Sequence, residues 1–424
     1  MTTTLFRDDL LLTHTKQQDL KLSEIVSALS YALDITEGQP EGHAIRSCLI
    51  GMRLAEEINL SSDDRSALFY ALLLKDLGCS SNAAKVCYLF GADEHNVKHD
   101  FKFINWQNIF NMLPYIMRNV APKGTLHERL TRFLAVAVSG RKGAKQLVKI
   151  RCERGAAIAQ TAEVFATRYG LPAALEIVRD RRGTWFDPQL VDAFRTIARD
   201  ETFWTNTLSP GHRAYLPHFE PEDRLLHADD AMIDRIAQAF GQVIDAKSPW
   251  TACHSQGVSD VAVGIAQTLG LPEHDITRLR RAGLLHDIGK LGVSNAILDK
   301  PGKLTDYEFN ALKAHPDHTF RILSRSVCFA PIVELAARHH EKLDGSGYHR
   351  GLQSHELSQT DCILAVADMY EALAAKRPYR KDLTDGEVFD ILNKQIGTKL
   401  CPETINALKT FIDQSNFTPY CVAA

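Results

Sequence analysis

The chain has 424 residues, 45% hydrophobic and 24% charged, enough apolar material for a sizeable core and for two to four domains. Its 49 basic and 52 acidic residues leave a net charge of −3, which argues against a broad basic surface for a nucleic-acid polymer. No apolar stretch approaches the roughly 18 residues of a membrane span, the start MTTTLFRDDLLLTH is acidic too early for a signal peptide, and the nine cysteines contain no C-x-x-C pair. A reducing cytoplasm is therefore expected.

In chain order, the first half carries His43 and then the apolar run YALLLKDLGCSSNA (70–83). AQTAEVF (159–165) and RRGTWFDPQLVDAF (181–194) follow. Residues 206–226, NTLSPGHRAYLPHFEPEDRLL, combine prolines, a glycine and mixed charge without a helical stripe, and read as a linker. From His254 the apolar residues Val258, Val261, Ile265 and Leu269 recur at steps of three and four, a helical stripe that Gly270 and Pro272 end. A further helix is expected to start at Pro331, with Ile332, Leu335 and Ala336 on one face. No stretch of six or more residues alternates like a strand, so the fold class reads as all-α.

An internal repeat organises these pieces. His43 precedes Lys75-Asp76 at the spacing at which His254 precedes His286-Asp287 in RAGLLHDIGKLGVSNA (281–296). AQTAEVF matches ADMYEAL (367–373), and Gly183-Thr184 matches Gly397-Thr398 in KQIGTKLCPETINAL (394–408). Three matches in one order make the chain two copies of one helical domain, 1–205 and 227–424, joined by 206–226. The copies differ where chemistry would sit. Lys75 stands at the place of His286, and Gln160 at that of Asp368. Arg151 matches His315 but lies close to Gln160, so the first copy lacks the segment that carries His339-His340. It has an insert within 84–150 instead.

Ten of the 17 histidines lie after residue 226. His254, His286, His315, His339 and His340, with Asp287 and Asp368, form a mixed imidazole and carboxylate set suited to Zn, Mn, Fe, Co or Ni. A lone helical histidine is more often packing than ligand. His286-Asp287, however, ends an apolar run, and a buried carboxylate beside a buried imidazole needs a partner or a metal. His339 falls on the Ile332/Leu335 stripe and points to the core, with His340 about 100° further round. One ion is satisfied by about four protein ligands. Seven convergent residues call for two ions sharing a carboxylate, an arrangement that clamps phosphoryl oxygens in phosphoester hydrolysis.

His254, His286-Asp287 and Asp368 resemble the HD phosphohydrolase pattern. HHEKLDGSGYHRGL (339–352), HDIGK (286–290) and KRPYR (376–380) resemble the signature of its HD-GYP subfamily. The resemblance covers about 230–410 closely, and the first half resembles a degenerate copy. It implies a metal-dependent phosphodiesterase that opens a cyclic dinucleotide, cyclic di-GMP or 3′,3′-cyclic GMP-AMP, to the linear dinucleotide. By position, His254, His286 and Asp368 would hold one divalent ion and His315, His339 and His340 the other, with Asp287 bridging them. Asp287 and Lys290 would be catalytic, the lysine protonating the leaving oxygen. Asp344, Gly345, Gly347 and Tyr348 would shape the substrate loop, and Arg377 and Arg380 would bind substrate phosphate with their planar forks.

Three departures stand out. His349 replaces the proline of the Gly-Tyr-Pro signature, so the loop loses a fixed φ. Trp250 occupies the place where some members have an acid for a third metal, so two ions are expected. The first half has lost its ligand set, and reads as a regulatory or dimer-forming module. The implied partners are the cyclic dinucleotide, a second copy of the chain and a GGDEF-type or other signalling protein, with neither membrane nor nucleic-acid polymer. Two rival classes remain at this stage: a di-iron oxygen-activating or oxygen-sensing HD protein, disfavoured by the basic Lys290/Arg377/Arg380 set, and a non-catalytic nucleotide receptor.

Overall fold

A computed structural model describes residues 18–76, 94–101, 103, 115, 156–220, 225–248, 253–375, 383–415 and 417. Among the described residues the chain is helical, as its periodicity requires, with one strand pair added. β1 (Gln18–Lys21) pairs antiparallel with β2 (Leu225–Ala228), tying the start of the first half to the start of the second. Strands of four residues are too short for alternation to be legible in sequence.

The first half contains α1 (Leu22–Thr36), α2 (His43–Glu57), α3 (Ser62–Leu74), α4 (Glu94–Phe101), α5 (Ala156–Tyr169), α6 (Leu171–Asp180), α7 (Pro188–Ile197) and α8 (Glu201–Leu208). Leu49, Phe69, Ala162, Phe194 and Ile197 are buried in its core. Within 206–226, α8 runs to Leu208 and a 3-10 turn occupies His212–His218. The second half contains α9 (Asp230–Asp245), α10 (His254–Thr268), α11 (Glu273–Leu285), α12 (Asn295–Leu298), α13 (Asp306–Leu312), α14 (His315–Leu323), α15 (Val333–Ala337), α16 (Gln359–Ala374), α17 (Asp385–Asn393) and α18 (Pro402–Ser415). The stripe of α10 is fully buried at Val258, Val261 and Ile265, each side chain worth roughly 1.5–3 kcal/mol by burial. Gly270, at φ 73°, ends the helix as its sequence position suggests.

The expected helix start at Pro331 is shifted. A 3-10 segment spans Val327–Ile332, and the α-helix begins only at Val333. Ile332, Leu335 and Ala336 are nonetheless buried, so the apolar face survives the change of helix type. The motif around Gly-Thr occurs twice in one shape. Gly183 and Gly397 take φ of 71° and 75°, and each donates its N–H at 2.9 Å to the carbonyl three residues on, of Phe186 and Leu400. Helices opening on Pro188 and Pro402 follow.

The halves are interlocked through α1. Val26 enters the first core, whereas Ile25, Leu29 and Leu33 enter the second. Thr36 Oγ1 donates to the Leu291 carbonyl at 3.3 Å. The Arg325 guanidinium lies 3.6 Å from the Tyr31 ring centroid, and Arg213 donates to the Arg325 carbonyl at 2.8 Å. No described helix is long and apolar enough to cross a membrane.

Candidate metal centre

The seven His and Asp residues singled out by sequence converge. His254 opens α10 and His315 opens α14, His286-Asp287 close α11, His339-His340 lie just beyond α15, and Asp368 sits within α16. Gly289 explains how α14 comes so near. A Cβ there would lie 1.8 Å from the His315 carbonyl oxygen, so only glycine permits the contact. Thr319 locks it, donating to the His286 carbonyl at 2.8 Å and accepting from Gly289 N–H at 3.0 Å.

The histidine tautomers follow from their neighbours. Nδ1 of His286, His315 and His339 lies 2.8, 2.7 and 2.7 Å from the carbonyl oxygen three residues earlier, of Gly283, Leu312 and Ala336. A carbonyl only accepts, so each Nδ1 carries a proton, which leaves Nε2 as the inward atom able to bind a metal. Nε2 of His315 and Nε2 of His339 then face each other at 3.1 Å. Burial first, and His340 next, hold both rings well below the usual histidine pKa. Two buried lone pairs at that distance repel unless a cation lies between them. His286 Nε2 and Asp287 Oδ1 are also buried without a hydrogen-bond partner. These orphaned donor atoms fit a divalent transition metal.

Asp287 stands in the middle. Its Oδ2 lies 3.4 Å from His254 Nε2 and 3.3 Å from His286 Nε2, and its Oδ1 lies 3.4 Å from His315 Nε2 and 3.7 Å from His339 Nε2. Asp368 reaches His254 Nε2 at 3.3 Å with Oδ1 and His340 Nδ1 at 3.6 Å with Oδ2. Among the described residues, every group of three His, Cys, Asp or Glu side chains able to hold an ion belongs to this cluster. Burial opposes the charge on Asp287, but His286 and Lys290 outweigh it and keep the carboxyl well below its ordinary pKa. Burial likewise opposes the charge on His254, but the Glu371 carboxylate, with Asp287 and Asp368, raises its pKa well above the ordinary value. Burial pushes His340 down to about 4, against the pull of Asp368 and Asp287.

Lys290 lies in the 3-10 turn Ile288–Gly292 with Nζ 2.5 Å from Asp287 Oδ2, so it faces the cluster as its spacing suggested. Tyr348 packs its ring on His340, centroids 4.7 Å apart, and Lys313 Nζ lies 5.5 Å from the Tyr348 ring centroid. Asp344 is exposed and accepts Ser346 N–H at 2.9 Å, which shapes the loop. Gly345 takes φ 73°, and Gly347 lies against the backbone of His340, Glu341 and Lys342. The Tyr348–His349 peptide is cis. Arg377, Arg380 and Trp250 lie outside the described residues.

Two carboxylates were not assigned from sequence. Glu371 faces His254 Nδ1 from one turn beyond Asp368 and is buried. It orients the ring and raises its basicity, as carboxylates behind metal-binding histidines do. Glu341 is buried beside His340 and gathers the N–H groups of Arg350, Gly351 and Leu352 at 2.7, 3.2 and 2.9 Å, tying the loop after Tyr348 to the histidine pair. Each looks like an ordinary acid in sequence. The signal for Glu371 was the repeat, since Glu163 holds the equivalent place in AQTAEVF.

A helical fold with a buried His/Asp cluster of this build defines a metal-dependent phosphohydrolase of the HD type. The sequence profile of the HD domain matches residues 238–403. A Vibrio cholerae protein named 3′3′-cGAMP-specific phosphodiesterase 3 is 36% identical over 437 residues, covering 93% of this chain and 95% of that protein. A Thermotoga maritima cyclic di-GMP phosphodiesterase is 40% identical over 158 residues, covering 36% of this chain and 42% of that protein. The crystal structure of a cyclic GMP-AMP specific phosphodiesterase from Vibrio cholerae superposes with a TM-score of 0.62 at 32% identity, over 94% of this chain and 99% of that one. The chain belongs to the HD-domain family, in its HD-GYP branch.

Proposed function

We propose that this chain opens 3′,3′-cyclic GMP-AMP to its linear dinucleotide. At the broader level it is a cyclic-dinucleotide phosphodiesterase. The observation that carries the chemistry is the buried cluster itself, with Nε2 lone pairs of His315 and His339 face to face and Asp287 between two histidine pairs. The preference for the mixed dinucleotide is supported by likeness to the Vibrio protein along nearly the whole chain, degenerate half included.

In this reading His254, His286 and Asp368 would hold one divalent ion and His315, His339 and His340 the other, with the Asp287 carboxylate available to both sets. When bound, such a pair polarises a phosphate and lowers the pKa of a nearby water. The protein's own groups do the rest. Lys290, held by Asp287, delivers a proton to the leaving ribose oxygen. Tyr348, packed on His340, forms a wall against which the substrate is oriented. Arg377 and Arg380 bind substrate phosphate. Tandem HD domains at 1–205 and 227–424 about the 206–226 linker, a cytoplasmic site of action, a homodimer and a GGDEF-type or other signalling partner complete the proposal.

The test is a panel of 3′,3′-cyclic GMP-AMP, cyclic di-GMP and cyclic di-AMP assayed with Mn(II) or Fe(II), with and without oxygen. Cleavage to linear dinucleotide, fastest for the mixed substrate and independent of oxygen, is expected. Cleavage of none of the three overturns the activity; equal rates for all overturn only the preference.

A further inference from the structure

The first half repeats the second closely enough to show what replaced the metal. Asp34 accepts Ala44 N–H at 2.9 Å just as Asp245 accepts Ser255 N–H at 3.4 Å. His43 Nδ1 faces Glu163 as His254 Nδ1 faces Glu371. Two positions then diverge in the same sense. Gly257, where a Cβ would lie 2.8 Å from Glu371, is matched by Arg46, whose Nε donates to Glu163 Oε1 at 2.7 Å. His286, neighbour of Asp287, is matched by Lys75, whose Nζ pairs with Asp76. Both cations are nearly buried: the Arg46 side chain is 7% exposed and that of Lys75 is 9% exposed.

We infer that Lys75 and Arg46 are built-in cations that take the place of metal in the first half, leaving a metal-free pocket whose buried carboxylates, Asp76 and Glu163, are neutralised by side chains. The charge logic is simple. A pocket that keeps a buried aspartate and glutamate after losing its ligands must find positive charge elsewhere. An ammonium at the His286 place and a guanidinium at the Gly257 place supply it covalently. The Lys75 pKa fits this: burial would lower it, but Asp76 and then Asp34 raise it above the ordinary value.

The inference rests in part on the second half being the metal site, so two independent measurements are needed. In the first, metal is counted in the full chain after loading with Mn(II) and dialysis. H286A/D368A is expected to lose the ion assigned to His254, His286 and Asp368, with none bound in the first half. K75H/Q160D, with the second half intact, is expected to gain one ion per chain. An ion that persists in H286A/D368A and disappears when H43Q is added would overturn the inference, as would no gain in K75H/Q160D that retains its helical circular dichroism. The second measurement is metal-free: thermal unfolding in chelator. K75M should lower the midpoint by about 5–10 °C, since it strands a buried carboxylate, and K75R should restore most of the loss. An unchanged midpoint for K75M overturns the inference whatever the second half binds.

Discussion

His43 and His254 are held alike, each at the start of a helix with Nδ1 against a buried glutamate. Beyond that point the two pockets part. Around His254 the inward atoms are lone pairs and carboxylate oxygens, three of them histidines locked by their own carbonyl contacts. Around His43 the inward groups are an arginine and a lysine already paired with acids. One pocket is electrically incomplete and the other is closed on itself. The His–Glu frame therefore belongs to the fold, and the ligand set laid over it decides whether the frame serves chemistry.

The sharpest way to break this comparison is to change the same aspartate in each half. D287N should lower turnover by about three orders of magnitude, as loss of a central electrostatic contact does, and should lower bound metal. D76N should leave kcat and metal content within about twofold, because Asp76 is paired with Lys75 and belongs to none of the ligand groups of the cluster. Steady-state kinetics with metal analysis decides it. A comparable loss of kcat in D76N would mean that the halves share catalysis.

The two glutamates come next. E371Q keeps shape but weakens the hold on His254, so metal affinity should fall about 10–100-fold, read by competition with a fluorescent chelator. E163Q should leave that affinity unchanged and cost about 1–3 kcal/mol of stability, because it disturbs buried contacts to His43 and Arg46. Equal effects of both on metal would show that Glu371 acts only through folding.

The difference between the pockets also bears on what a sequence can reveal. The seven cluster residues were legible because histidines at helix ends beside apolar runs have no cheap alternative use, and because the first copy showed which of them had been replaced. Glu371 and Glu341 were not assigned, since a helix acid gives no sign of its partner until the ring or the loop it holds is in place. The start of α15 slipped because proline fits a 3-10 turn as well as the first turn of an α-helix. The β1–β2 ribbon went unread because four residues carry too little pattern. Nothing in composition or spacing foretold that α1 would give Val26 to one core and Leu29 to the other.

Chelation separates the halves by dynamics. Removing metal should raise amide exchange at the starts of α10 and α14 and around Ile288–Gly292, where facing lone pairs and Asp287 lose their counter-charge. Exchange in α2 and α5 should change little, because Arg46 and Lys75 remain. Hydrogen exchange with mass spectrometry reads both in one experiment. Parallel loss of protection in α2 would refute the independence of the first pocket.

The smallest expected effect concerns pH, and its sign follows from His254. In the metal-free protein the raised pKa of His254, set by Glu371 with Asp287 and Asp368 against burial, means that the folded state holds this proton more tightly than the unfolded chain. The stability it contributes is complete below the unfolded value of about 6.5 and is lost as pH rises through the folded pKa. Metal must displace the same proton to reach Nε2, so metal affinity rises over the same range. His340, pushed to about 4, and His315 and His339, also held low, are neutral in the folded state across this range but still take up protons in the unfolded chain at about pH 6. They therefore raise the stability of both forms alike as pH rises and leave the gap between them to His254. Raising pH from 6 to 8 should therefore weaken the chelated protein relative to the loaded one, widening the gap between their unfolding midpoints by a few degrees. Thermal unfolding of both forms at the two pH values measures that gap. A gap that stays constant would mean that His254 enters metal binding already deprotonated.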